Sequence, residues 1–434
     1  MFDPLKNYNF DRMNNLVREI GSEQERKQAN TTNSTTSSIE FNEENTVEVN
    51  LKFDEFMDNI ELVKPFLYNI ERFIISYNEL SEEQASEKVD MSPLSKKCKI
   101  LDASHNNFKN MSHAFWSFLF NASITYFNLS NNCLVEFISS KMDATWLPKL
   151  EYLILANNSI CSLINSTETS LLSSLIRLDL SNNLVDNDSL NNILFGGNLT
   201  NLKHLYVKNN KVSGTLKNVN SVNQSLEEIY LDENQIEQVD NSWFSSLPNL
   251  KVISLPFNKI QDIDIQTNNK IEKIYLHSNQ IKSIDSIKAV FSDSLKVFSA
   301  HQNQISTIPE EISNSISLRE VTFFNNTIQQ LPKGLYNLIN IDTLYLQNNE
   351  IAELLPELGN LTNLTELDLF NNKLSSLPST IGNLTKLKRL CLDSNRLKTI
   401  PADVVNLSNL ISFTFHNNPE LKVSPYIQMM STGM

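Results

Sequence analysis

The sequence predicts an α/β solenoid: a curved horseshoe of about fourteen stacked repeats, a parallel β-sheet on its concave face, and an α-helical cap before the first repeat. Two observations carry the prediction. An asparagine recurs at Asn106, Asn132, Asn158, Asn183, Asn210, Asn234, Asn258, Asn279, Asn303, Asn326, Asn349, Asn372, Asn395 and Asn418, in steps of 21 to 27 residues. Around each one the chain repeats the phrase L-x-x-L-x-L-x-x-N-x-L, as in LEYLILANNSI (150–160) and LTELDLFNNKL (364–374).

Within the phrase, x-L-x-L-x alternates with period two, which marks a short strand with one buried face. The chain must turn after that strand, and the turn leaves main-chain N–H and C=O groups inside. Each such group costs about 1–3 kcal/mol if it stays unpaired. An asparagine side chain has both donors and an acceptor, so it can serve several of them at once; leucine and aspartate cannot. The ladder asparagines are therefore structural. One repeat cannot close a core alone, but stacked repeats can. Fourteen parallel strands about 4.8 Å apart span roughly 65 Å.

Period and phrase resemble the leucine-rich repeat family, over residues 98–421. From residue 318 onward the outer half reads L-P-x-x-[IL]-x-N-L-x-N, as in LPKGLYNLINI (331–341) and LPSTIGNLTKL (377–387), with Pro309, Pro332, Pro356, Pro378 and Pro401 opening each outer segment. That half resembles the Ras-group and Ras-suppressor type of repeat. IYLHSNQIKSID (274–285) looks more like the repeat-type regulatory subunit of protein phosphatase 1. These resemblances imply an intracellular, non-catalytic scaffold in signalling, with a protein partner such as a small GTPase or a phosphatase. In some proteins similar repeats precede phosphatase-2C-like, kinase or cyclase domains, so the alternative is the recognition part of a larger signalling enzyme.

The flanks differ from the repeats. Residues 1–39 read as a flexible polar segment, with the low-complexity run ANTTNSTTSS at 29–38. Residues 40–97 read as a helical cap. Phe53, Phe56, Met57, Ile60, Val63, Phe66, Leu67, Ile70, Phe73, Ile74 and Tyr77 recur at three- and four-residue steps, interrupted by Pro65. The segment MSHAFWSFLFNAS (111–123) reads as a helical turn on the convex side. After Asn418 the phrase fails. Glu420 takes an aliphatic place and is costly to bury, so the solenoid is expected to stop there. The tail 422–434 offers Tyr426, Ile427, Met429 and Met430 to cover the open edge.

Composition narrows the function. A formal charge of −14 argues against nucleic acid and anionic membrane surfaces as the main partner. No apolar stretch reaches the length of a membrane span, and the first residues lack the apolar core of a signal peptide. Cys98, Cys133, Cys161 and Cys391 do not form paired caps, which suits a reduced, cytoplasmic chain. The N-x-S/T triplets at Asn360, Asn363 and Asn383 then reflect an Asn-rich composition. Phosphate-binding, nucleophile-elbow and zinc-protease motifs are all missing, so no catalytic residue, cofactor or small-molecule ligand is expected.

The third, fifth, seventh and eighth residues of each phrase point out of the concave face. Five of the six histidines sit there (His105, His204, His277, His301 and His416), as do six of the eleven tyrosines (Tyr126, Tyr152, Tyr206, Tyr230, Tyr275 and Tyr345). Tyr206, Tyr230, Phe257, Tyr275, His277, His301, Phe324, Tyr345 and Phe370 form a near-continuous aromatic track, the predicted partner-binding site. Glu228, Asp232, Glu233, Glu320, Glu366, Asp368 and Asp393 flank it, among Arg177, Lys208, Lys273 and Arg389. His277 and His301 share one register on adjacent strands, but two histidines are too few for zinc, and no metal is expected.

Overall fold

The computed structural model describes residues 48–50, 71–76, 96–111, 119, 122–138, 146–164, 172–218, 221–266 and 270–431. The chain divides into two units, Met1–Phe41 and Asn42–Met434. The first, and with it the predicted polar segment, lies outside the described residues; the second holds the solenoid.

Its centre is a sixteen-stranded sheet, parallel throughout, from Glu48–Asn50 at one edge to Ser412–Thr414 at the other. Each strand is three residues long, and neighbours pair in simple register, for example Val321 opposite Leu344 and Leu344 opposite Leu367. The leucines of the phrase point inward and are fully buried, as Leu344, Leu346 and Ile351 show in one repeat.

Each ladder asparagine ties two repeats together. Asn349 Nδ2 donates to the Phe323 carbonyl of the preceding repeat (2.9 Å) and to Leu346 O of its own (3.0 Å), while its Oδ1 accepts from Ile328 N (3.0 Å). The pattern runs from Asn106 to Asn418. Asn349→Ala leaves the buried Ile328 N–H unpaired, at about 1–3 kcal/mol, and takes one of two donors from Phe323 O and from Leu346 O, which keep Asn326 and Asn372. It is expected to lower stability by about 2 kcal/mol. The neighbour Asn348 has φ 57°, and a glycine there is expected to be near neutral in a denaturant titration.

The left-handed turn at that eighth position recurs in all fourteen phrases, with φ between 50° and 57°. Asparagine tolerates it better than most residues, which accounts for the Asn-Asn pairs in the sequence. The outer side carries 3₁₀ turns at Glu310–Asn314, Lys333–Asn337, Pro356–Asn360, Ser379–Asn383 and Ala402–Asn406, where the prolines predict outer segments. They pack so closely that a Cβ on Gly382 would sit 2.5 Å from Asp403 O. Earlier repeats instead use the helices Asn187–Phe195 and Asn241–Ser245 and short outer strands such as Gln235–Val239.

Two expectations change. Residues 48–50 and 72–74 are strands of the main sheet, where the apolar spacing predicts helix. Arg72–Ile74 pairs with Ile100–Asp102, Phe73 and Ile75 are buried, and Ile75 O accepts from Asn106 Nδ2 at 2.9 Å. The physical reason lies in the phrase itself, because L-x-x-L is also a helical step. Ile70, Phe73, Ile75, Asn78 and Leu80 spell a further repeat. The rest of the predicted cap, 40–47, 51–70 and 77–95, lies outside the described residues, as does most of 111–123. At the other end Asn418 Oδ1 still accepts from Leu397 N (2.9 Å), and Glu420 is exposed. A helix over Pro425–Met430, capped by Ser424, then buries Ile427 but leaves Tyr426 and Met429 in solvent.

Candidate functional site

The sheet face presents the outward residues of each strand in rows. Because adjacent parallel strands lie about 4.8 Å apart, side chains of one register meet their neighbours directly. The nine predicted residues fall into separate groups rather than one track.

The first group is a stack. The Tyr206 and Tyr230 rings are parallel at 4.6 Å, and the Arg177 guanidinium lies 4.3 Å from the Tyr206 ring centre. Burial pushes the Tyr206 phenol up to about 12. His204 and Glu228 are 3.2 Å apart beside them.

The second group is a column of four rings on successive strands. Phe257 meets His277 edge-on at 5.4 Å, His277 stacks on His301 at 4.3 Å, and His301 stacks on Phe324 at 4.0 Å. The rings shield one another, so His277 and His301 are only 9% and 7% exposed, and Tyr275 beside them 7%. These three residues are therefore part of the packed face and not open contact points. Burial pushes the His277 imidazole down to about 4; burial and then the His277 charge push His301 down to about 3. Both are neutral near pH 7. His301 Nδ1 lies 3.1 Å from Ser299 Oγ and 3.2 Å from Thr322 Oγ1. Among the described residues no three potential ligands gather to hold a metal ion.

The third group is open. Phe257, 55% exposed, adopts φ 54°, a left-handed conformation that a bulky residue rarely takes. Phe370 is 37% exposed, and Phe324 is half-buried. Tyr345 hydroxyl donates to Glu366, whose carboxylate also faces Arg389 at 3.8 Å. A shallow hollow of about 150 Å³ opens beside Tyr345, Glu366, Asp368, Arg389, Cys391 and Thr414.

The charges around this open part are mainly acidic. Burial, and next the Asp342 charge, hold the Glu320 carboxyl above its usual range. Burial also raises Asp368, against the Phe370 N–H that favours its charged form. Asp393 is taken by His416 at 3.0 Å. Toward the other end Lys208 pairs with Glu233 at 2.9 Å.

Two further site features carry their own sequence signals. Asp342, at the second position of its phrase, adds a carboxyl to the Glu320 cluster. The Asn-Asn pairs mark a second, exposed ladder along the face, in which Asn209 donates to Asn182 (2.7 Å) and Asn371 to Asn348 (2.9 Å).

Sequence models of known families match two stretches, a leucine-rich repeat model over residues 224–281 and a two-copy leucine-rich repeat model over 339–383. The chain carries leucine-rich repeats and has the leucine-rich repeat solenoid fold. Solved structures agree. A leucine-rich repeat protein of Leptospira interrogans is 26% identical, with a TM-score of 0.62 over 84% of this chain and 81% of that one. Two others share the fold at 22% identity. An internalin of Listeria monocytogenes matches 82% of this chain and 88% of its own, with a TM-score of 0.53. The ectodomain of the Arabidopsis receptor kinase HAESA, solved with a peptide hormone, matches 82% of this chain and 63% of its own, with a TM-score of 0.56. No curated protein is similar enough in sequence to be a recognisable relative. Among the described residues no helix is long and apolar enough to cross a membrane.

Proposed function

We propose that this protein is a non-catalytic interaction scaffold that binds a partner protein on the sheet face. The observation that carries the reading is the set of outward rings, the exposed Phe257 and Phe370 and the half-buried Phe324, held on a rigid parallel sheet. Exposed aromatic residues on a fixed frame lose little entropy on binding and are common binding hot spots.

The finer reading places the scaffold in intracellular signalling, with a small GTPase or a protein phosphatase as the partner. It is supported by the sequence resemblance to Ras-group and phosphatase-regulatory repeats. The four cysteines are free thiols, two of them exposed, which suits a reducing compartment. The alternative, the recognition part of a larger signalling enzyme, is favoured by one feature. Val405 and Ile411 of the last repeat and Tyr426 and Met429 of the helix after it are exposed, and a further domain packed there would cover them.

The test is affinity purification from the native cell with the Phe324→Ala/Phe370→Ala variant. Partner capture is expected to fall at least tenfold, with the unfolding temperature unchanged and with capture by Val405→Ala as in the parent. Equal capture by both variants and parent would remove the sheet face from consideration.

A further inference from the structure

The open part of the sheet face carries a charge imbalance that specifies its partner more closely. On the strands from Glu320–Thr322 to Arg389–Cys391, Glu320, Glu366 and Asp368 face outward, with Asp342 beside them. Arg389 is the outward cation of this stretch; it pairs with Glu366 at 3.8 Å and its charge also reaches Asp368. Arg319 and Lys388 share the second phrase position with Asp342, and Lys273 acts on Glu320 from two strands away. No ion pair is formed by Glu320, Asp342 or Asp368 among the described residues. Several carboxylates elsewhere on the solenoid are matched. Glu227 holds both Lys203 and Lys251, Glu272 holds Lys296, and Glu350 holds Lys373. The unmatched carboxyls lie next to apolar surface, since Phe324 and Phe370 occupy the seventh position of the same strands. Between those two rings, on the intervening strand, Gln347 Oε1 is closed off from solvent and has no hydrogen-bond donor.

We propose that the partner docks here through a short basic segment, with arginine or lysine side chains among Glu320, Asp342 and Asp368 and an apolar side chain against Phe324 and Phe370. This rests on the reading of the sheet face as the docking surface and names the chemistry of what it takes. Four strands about 4.8 Å apart span some 14 Å, which an extended segment of about five residues covers. A cation entering this stretch meets carboxyls that burial and neighbouring carboxylates disfavour as anions, and its charge favours their ionised form. An acidic segment would add to the repulsion. The charge pattern therefore selects partners as well as attracting them, because like-charge contacts reject the wrong sequence.

The probe is a fluorescein-labelled nine-residue peptide in which arginine alternates with leucine, compared with its charge-reversed counterpart in which glutamate replaces arginine. Fluorescence anisotropy on the full chain is expected to show binding of the basic peptide alone, weakening as salt rises. Glu320→Gln, which removes no hydrogen bond seen in the structure, is expected to weaken that binding about fivefold. Glu320→Gln/Asp368→Asn weakens it further. Asp262→Asn/Asp403→Asn, which removes the same charge from the outer side, is expected to change it less than twofold. Equal binding of both peptides, or equal weakening by the inner and outer variants, overturns the proposal. If Phe324→Ala/Phe370→Ala abolishes partner capture while Glu320→Gln leaves capture and its salt dependence untouched, the scaffold reading stands and the basic partner falls. If neither pair changes capture, both fall.

Discussion

Phe73→Ala is expected to cost about 3–5 kcal/mol, the range for deleting a fully buried aromatic ring, and to loosen the N-terminal repeats selectively. Phe73 lies at the buried position of Arg72–Ile74, opposite Leu101 of the next strand, and is 1% exposed. Around it Ile75 N donates to Asp102 O (2.8 Å), and Lys99 N to Glu71 O (2.8 Å). In a solenoid each repeat leans on its neighbours alone, so a lost ring destabilises locally. Hydrogen exchange is therefore expected to accelerate over 72–75 and 99–103 and to stay unchanged over 366–369. Uniform acceleration, or none at 99–103, would show that these residues do not continue the sheet.

That segment also shows why part of the fold was hard to read from sequence. In the fourteen regular phrases the asparagine disambiguates the pattern, because a strand-turn needs it and a helix does not. Before residue 98 the apolar residues are mostly aromatic or β-branched, and the phrase at 70–80 stands 28 residues before Asn106, wider than any other step. Without the ladder as a guide, Ile70, Phe73 and Tyr77 look like one face of a helix. Asn78 and Leu80 hold the information that decides between the two.

The candidate site was legible in register but not in exposure. Period two places Tyr275, His277 and His301 on the outward face, and they are there. Whether an outward residue is open depends on what stands beside it on the next strand, which is a property of neighbouring repeats. His277 lies between Phe257 and His301, so its ring is covered on both sides. Phe370 has Gln347 and Asp393 as its register neighbours and remains open. For the same reason Tyr275→Ala is a poor probe of binding. Tyr275 is nearly as buried as the core, and its loss is expected to act through stability.

Acidification is expected to weaken the centre of the solenoid through the stacked histidines. An unfolded histidine titrates near 6.5, whereas His277 and His301 are held down to about 4 and about 3 in the folded chain. Their folded pKa values are depressed, so the unfolded chain binds more protons between these limits. The stabilisation from keeping both rings neutral is complete above pH 6.5 and is lost as pH falls toward 3. At about 1.4 kcal/mol per pKa unit, the loss by pH 4 is on the order of 3 kcal/mol for each ring. Protonating either ring places a cation in the column, where Ser278, Ser299 and Thr322 are the polar neighbours and no carboxylate touches it. Protonation of Glu320 and Asp368, whose carboxyls burial holds above the usual range, works in the opposite sense. The two contributions separate in the variant His277→Phe/His301→Phe, which keeps the stack. Ser299 and Thr322 remain bonded to each other at 3.0 Å without the histidine. Unfolding temperatures measured from pH 7 to pH 4.5 are expected to fall steeply for the parent and to stay level for the variant. A parallel fall in both would place the acid sensitivity outside the column.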